Sequence, residues 1–552
     1  MGRQLRRIGV PVVAAGPAGV RIRTRIRLTA AEASALGAIG SFLGSVFRRE
    51  LSGRVELGRL DSKTHAGWRA GRKQAVTAVS SSRWAGAITR AVEDQYQLGM
   101  RGLGAHVTDL RQRVEVLAAR CALRPGELAA ANEDAVGDRL RRRRGYRNAN
   151  ERFAKTRRLA ILCDQLATAQ EALAAGRPSI TVGGKRLWRN RNHLEAAGIT
   201  EQQWRTRWDA GRMFLTADGE SGKAGGNETL RVDEAGRLRI KVPAALVVQY
   251  GTHLDIEASV SFAHRGSEWA ERVAGRRAVR YDVSYDASRG RWYLDASWKQ
   301  DMLPAAPSID ELRTGPVLGV DLNADHLACT VLDGAGNPVG EPLTIPVDTS
   351  GLRASRRDGR VRAAITALLD LADLHHCSAV VIENLDFADA RAIGRDTMGR
   401  GKRGKAFRRT VAGIPTARFR ARLISMAARR GIAIIGVDPA YTSKWGAQHW
   451  CKPLQQQTSE PVTRHHGAAT AIGRRGLGQA IRRRPAGPRN GQRTVAGTPP
   501  ARPDRQPNHD GRHGSSGPPM HTRCAPVHRR TPAASGQHRS GRDRAEPSAA
   551  HP

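Results

Sequence analysis

Two short apolar runs in this chain each end in a carboxylate. Pro316-Val317-Leu318-Gly319-Val320 delivers Asp321, followed by Leu322-Asn323, and Ala379-Val380-Val381-Ile382 delivers Glu383, followed by Asn384-Leu385. Runs of this length and character read as buried strands. A carboxylate beside such a core is costly to hold unless something cationic compensates it. Neighbouring strands that bring two carboxylates together make a site for a hard divalent cation, which prefers carboxylate oxygen and serves phosphoryl-transfer chemistry. Asp321 and Glu383 are therefore the candidate metal ligands and catalytic groups.

Charge points to a polyanionic partner. The sequence holds 91 Lys and Arg against 51 Asp and Glu, a formal net charge of +40, which favours nucleic acid over a small acidic molecule. Its 552 residues suggest roughly three or four domains with ample core. Cys121, Cys163, Cys329, Cys377, Cys451 and Cys524 include no C-x-x-C pair, which argues against a disulfide framework or a zinc ribbon and for a reducing compartment. Pro11 and Pro17 interrupt the apolar stretch Ile8 to Val20, so it reads poorly as a signal peptide. No run approaches the roughly 20 apolar residues of a membrane helix. The expectation is a cytoplasmic protein with no membrane partner.

Arg21-Ile22-Arg23-Thr24-Arg25-Ile26-Arg27-Leu28 alternates strictly, so a strand here puts Arg21, Arg23, Arg25 and Arg27 on one face. That face tracks phosphates or is an ordinary solvated one. From Thr29 to about Gly176 the pattern is helical, as in Val107, Leu110, Val114, Leu117 and Cys121. Within it, Arg139 to Arg147 concentrates charge around Arg141, Arg142, Arg143, Arg144 and Tyr146, a candidate nucleic-acid contact. From Ser179 to Trp298 strand character returns. The expected organisation is a discontinuous β-rich domain (1–28 and 178–300), a helical insertion (29–177), a linker (301–315), an α/β domain (316–482) and a disordered basic tail (483–552), poor in large apolar residues. Gly219 to Asn227 lacks the spacing of a phosphate loop.

Between residues 316 and 482 a three-strand meander is followed by alternating helix and strand, giving an α/β sheet with mixed strand directions. This is the element order of the RNase H-like nuclease fold.

Three ordered stretches, Gly319-Val320-Asp321-Leu322-Asn323, Val381-Ile382-Glu383-Asn384-Leu385 and Val437-Asp438-Pro439-Ala440-Tyr441-Thr442-Ser443-Lys444, resemble the TnpB (OrfB) proteins of bacterial insertion sequences, relatives of the type V CRISPR effector nucleases. Gly183-Gly184-Lys185 and Gly222 to Asn227 extend the resemblance over most of residues 20 to 480. It implies a RuvC nuclease domain, a β-rich wedge-like domain interrupted by a helical recognition insertion, a two-metal site for Mg2+ or Mn2+, a guide RNA from the transposon end and a double-stranded DNA target. Such proteins read sequence by guide pairing, and the basic clusters then become contacts to phosphate. Annotators often label such proteins transposases.

Two departures matter. The family's zinc ribbon of paired cysteines is replaced by a stretch with Cys451 alone, so zinc is not expected from His449, Cys451, His465 and His466. The family's third carboxylate opens the last helix, and here Thr463-Arg464-His465-His466-Gly467-Ala468-Ala469 stands in its place, with His466 at the position of the acid. Imidazole is a softer ligand that brings no negative charge when neutral. His466 is thus the expected third site residue. The reading is an RNA-guided DNA endonuclease; the alternative is a guided DNA-binding protein that no longer cuts and acts as a repressor or a transposition accessory factor.

Overall fold

The computed structural model describes residues 8–128, 144–301, 305–323, 325–349, 351–352, 354–384 and 416–482. Arg141, Arg142, Arg143, Leu385 and the 483–552 segment lie outside them. Within these bounds the chain is a mixed α/β structure with three sheets and long helices.

The sheet that carries the two carboxylates has six strands in the order Val12–Val13, Ala433–Val437, Ala379–Glu383, Val317–Leu322, His326–Leu332 and Pro338–Pro346. The last three form an antiparallel meander, whereas Ala379–Glu383 runs parallel to both of its neighbours. Parallel neighbours need crossovers, and the helices Ala354–Leu374 and Thr416–Ala428 precede the strands they feed. Both helices cover one face: Val361, Ile365, Leu368, Phe419 and Leu423 pack with Leu318, Val320, Val380 and Ile382. The N-terminal Val12–Val13 pair adds an antiparallel edge to this sheet, so residues 8–14 do not belong solely to the β-rich region.

The helix Arg464–Gly476 covers the opposite face, where Ile472 joins Val317, Ala379, Val381, Ile435 and Val437. It lies unusually close to the sheet because its contacts are small. A Cβ on Gly319 would sit 2.2 Å from the carbonyl oxygen of Ala469, and one on Gly473 would sit 1.9 Å from Cδ1 of Leu332. Gly446, in the helix Thr442–His449, and Gly467 meet with the same intimacy, each filling the space a side chain would need on the other. The Gly- and Ala-rich run 467–473 is therefore a packing surface.

The remaining sheets share one core with the helical region. A four-stranded sheet orders Gly19–Ile26, Arg291–Lys299, Arg280–Asp286 and Thr216–Ala217, and a three-stranded one orders Leu230–Val232, Leu238–Lys241 and His253–Ile256. Thr29 caps the helix Ala30–Leu57 through a capping box with Glu32, and Gly176 ends Ala149–Ala175 in the left-handed conformation. By length and composition Ala30–Leu57 is apolar enough to cross a membrane, contrary to the sequence expectation. Its Leu36, Ile39 and Leu43 are fully buried against the strands, the position of a core helix. Asn227 is a structural knot. Its amide donates to Ala217, Asp218 and Val279 carbonyls at 3.0–3.1 Å and accepts from the Thr229 and Leu230 amides.

Candidate metal centre

Register puts the two carboxylates side by side. Val381 pairs with Gly319 and Ile382 with Val320 in the parallel ladder, so the next residues, Glu383 and Asp321, stand level on neighbouring strands. Alternation sends both to the face of the Arg464–Gly476 helix, since Val317, four residues before Asp321, and Val381, two before Glu383, pack on that side. Cα atoms of adjacent strands lie about 4.8 Å apart, within reach of one shared cation.

Each carboxylate has specific partners. Asp321, 6% exposed, accepts from Nδ2 of Asn323 at 3.1 Å and from Nδ1 of His465 at 2.8 Å, both on Oδ2. Asn323 is set by the turn, its amide bonding the His326 carbonyl at 2.9 Å. Glu383 meets the hydroxyl of Thr442. Burial pushes the Glu383 carboxyl up to about 7, and the charges of Asp321 and Asp438 push the same way, against Thr442 and Arg475. A protonated Glu383 can donate to Thr442 Oγ1 while that hydroxyl donates to the Pro439 carbonyl at 2.8 Å.

The turn after Val437 presents Thr442. Asp438 accepts from the Ala440 amide at 2.9 Å and from Gly9 at 3.0 Å, which makes it a turn-forming residue. The buried Arg475 guanidinium donates to the carbonyls of Asp438 and Ala440, the latter at 2.7 Å. Tyr441 takes a left-handed φ of 65°, an uncommon conformation for an aromatic residue, immediately before Thr442.

The imidazole that reaches Asp321 belongs to His465, not to His466. His466 is 4% exposed, and its Nδ1 accepts from the Thr463 amide at 3.2 Å, closing a capping box. The proton then sits on Nε2, which bonds Thr344 Oγ1 at 2.8 Å. Burial lowers the His466 pKa, reinforced by His326 and His465, so the ring is neutral. With both nitrogens engaged, His466, the expected third site residue, anchors the helix start to the outer strand, and the imidazole at Asp321 is that of His465. His465 stands edge-on to His326, with ring centroids 5.1 Å apart. Helical phase carries the signal: Ala469 abuts Gly319, Ile472 and Gly476 pack with Val381, and His465, one turn before Ala469, reaches Asp321, whereas His466 bonds Thr330 and Thr344.

Among the described residues no group of three or more His, Cys, Asp and Glu side chains forms a ready metal cage. What is present is a pair of level carboxylates, one resisting ionisation beside the other, with the carboxamide of Asn323 and the imidazole of His465 at the rim. That donor set, rich in oxygen, suits a hard cation such as Mg2+ or Mn2+, and a divalent charge would offset the burial, and with it the lesser repulsion from Asp321, that raises Glu383. The Cys451 thiol donates to the Thr463 carbonyl at 3.5 Å.

The basic clusters divide. Arg23 makes a two-pronged ion pair with the buried Asp295 at 2.6 and 2.8 Å, directly across the strand pair, and Arg21 reaches the same carboxylate at 3.1 Å. Burial raises the Asp295 carboxyl, but Arg23 and Arg21 outweigh it and hold the pKa low. Arg21 and Arg23 thus pair with the sheet while their side chains stay more than half exposed. Arg25 and Arg27 are exposed with no ion pair among the described residues. Tyr146 is 2% exposed beneath the Arg120 guanidinium, 4.1 Å from its ring centre, and a ring so covered cannot stack on a base. Arg144 is exposed and its Nε bonds the Gly126 carbonyl at 3.3 Å.

No protein-family model matches the chain, and no curated protein does. Among solved structures, the chain shows a likeness to T. thermophilus RuvC in complex with a Holliday junction substrate, at 17% identity and a TM-score of 0.18, covering 29% of this chain and 92% of that one.

Proposed function

We propose that this protein is a divalent-metal-dependent DNA endonuclease with an RNase H-like (RuvC) domain, acting under RNA guidance in the manner of the TnpB proteins. One observation carries the reading: Asp321 and Glu383 stand level on parallel neighbouring strands and face the same helix. Support also comes from the strand order, an antiparallel meander extended by two parallel strands, which is that expected of an RNase H-like sheet.

Asp321 and Glu383 would hold the cation, which when bound activates water and stabilises charge on the scissile phosphate. Asn323 and His465 fix Asp321 in one rotamer through its Oδ2, leaving Oδ1 for coordination. Thr442 performs the same service for Glu383. His465, whose Nδ1–H points at Asp321, is a positioning residue here.

A second reading, guided DNA binding without cutting, is favoured by the absence of any acidic residue from the first turn of Arg464–Gly476. The two separate in one assay. Full-length protein purified with its co-expressed RNA is incubated with a matched duplex and Mg2+ or Mn2+. Cleavage that Asp321→Ala abolishes supports the nuclease; tight binding without product, unchanged in Asp321→Ala, supports the binder.

A further inference from the structure

Three tryptophans form a continuous stack on the surface of the β-rich region. Trp208 lies between Trp188 and Trp204, with ring centroids 5.5 Å away on each side and interplanar angles of 26° and 12°. The short helix Lys185–Asn190 supplies Trp188 and the helix Glu201–Ala210 supplies the other two. Gly183, at φ 99°, lets the preceding loop lie against Trp208, where a Cβ would come within 2.9 Å of the ring. Trp204 is anchored by its indole N–H, which donates to the Leu187 carbonyl at 2.8 Å.

The inner member of the stack is buried, and the outer one is not. Trp208 is 9% exposed and Trp188 is 42% exposed. The Arg191 guanidinium lies 3.4 Å from the Trp188 ring centre, which makes a planar cation the outermost layer. Lys185, Arg186, Arg189 and Arg191 are all exposed, and none has an ion pair among the described residues; the ion pair along these helices is Arg205 with Glu201. A packing motif alone would need neither the exposed indole nor four cations left without counter-charge. Bases stack on aromatic rings and on guanidinium planes, and a surrounding set of cations tracks their phosphates. The exposed Asn192 and His193, beside Arg191, add hydrogen-bonding groups of the kind that meet a 2′-hydroxyl.

We infer that the Trp188–Arg191 surface binds unpaired RNA, with one base stacked on the Trp188–Arg191 layer and the adjacent phosphates met by Lys185, Arg186 and Arg189. The site is independent of the Asp321–Glu383 centre and stands whether or not that centre hydrolyses DNA.

The test is fluorescence anisotropy of full-length protein, freed of bound nucleic acid, with labelled single-stranded RNA of roughly 15 nucleotides, DNA of the same sequence and the RNA duplex. RNA should bind more tightly than DNA. Trp188→Ala should weaken single-stranded RNA about tenfold, Trp188→Phe should keep most of the affinity, and duplex binding should not change. Unchanged RNA affinity in Trp188→Ala, or an equal loss for the duplex, overturns the site; equal binding of the DNA overturns its assignment to RNA. Should Trp188→Ala lose its near-ultraviolet circular dichroism, the triple variant Lys185→Gln, Arg186→Gln, Arg189→Gln decides. It should lower the slope of log affinity against log salt by about 2, and an unchanged slope refutes the proposal.

Discussion

At the scale of residues, Glu383 makes the site's chemistry measurable. Its folded pKa is raised to about 7 from an ordinary 4.5, so the folded state binds this proton more tightly than the unfolded state does. The corresponding stability is full at acid pH and is lost as pH rises from about 4.5 through about 7, by on the order of 3 kcal/mol. Metal-free protein should therefore melt at a lower temperature at pH 8 than this group alone would give at pH 5. Mn2+ should restore much of the difference, and Glu383→Gln should remove this component of the pH dependence; thermal melts across pH check all three. His465 and His466 should also part. His466→Ala, which empties a buried capping box, should cost about 1–2 kcal/mol in urea unfolding. His465→Ala should leave unfolding nearly unchanged and weaken Mn2+ binding about tenfold. Asp321 and Glu383 were legible in the sequence because an apolar strand that stops at a carboxylate is unusual. The choice between two consecutive histidines was not, since it turns on about 100° of helical phase that only the contact of residues 469, 472 and 476 with the sheet defines.

At the scale of elements, the site depends on how closely the Arg464–Gly476 helix approaches the Asp321 strand. Gly319→Ala would drive a methyl group into the Ala469 carbonyl, and Gly473→Ala would drive one into Leu332. Each should destabilise by about 1–3 kcal/mol and displace His465 from Asp321, with a parallel loss of metal affinity. Gly37, in the interior of Ala30–Leu57 with nothing within 4 Å of its Cβ position, is the control: Gly37→Ala should stabilise by about 0.5–1 kcal/mol. Urea midpoints of the three variants check the contrast. The sequence foretold the meander and the strand–helix alternation because turn residues and periodicity are local signals. It did not foretell the Val12–Val13 edge strand, whose partner Ala433–Val437 lies more than 400 residues away and leaves no local trace.

At the scale of the whole molecule, the formal net charge of +40 overstates what is available to a polyanion, because many arginines serve the fold. In the alternating strand Gly19–Ile26, whose arginines are all exposed on one face, Arg21 and Arg23 neutralise the buried Asp295, while Arg25, with Arg27 just beyond the strand, has no ion pair among the described residues. Replacing Arg25 and Arg27 with Gln should lower the salt slope of DNA binding by about 2 at unchanged stability. Replacing Arg23 instead should destabilise by on the order of 1–2 kcal/mol, since a carboxylate is left buried. Alternation revealed the basic face but not this division, which depends on Asp295 being opposite Arg23 across a pairing of distant segments. Calorimetric titration of Mn2+ into the full chain at pH 8 tests the shared site most directly. Binding that is lost in both Asp321→Ala and Glu383→Gln, with folding intact, is the expected result; undiminished binding in either variant would contradict a cation held between these two carboxylates.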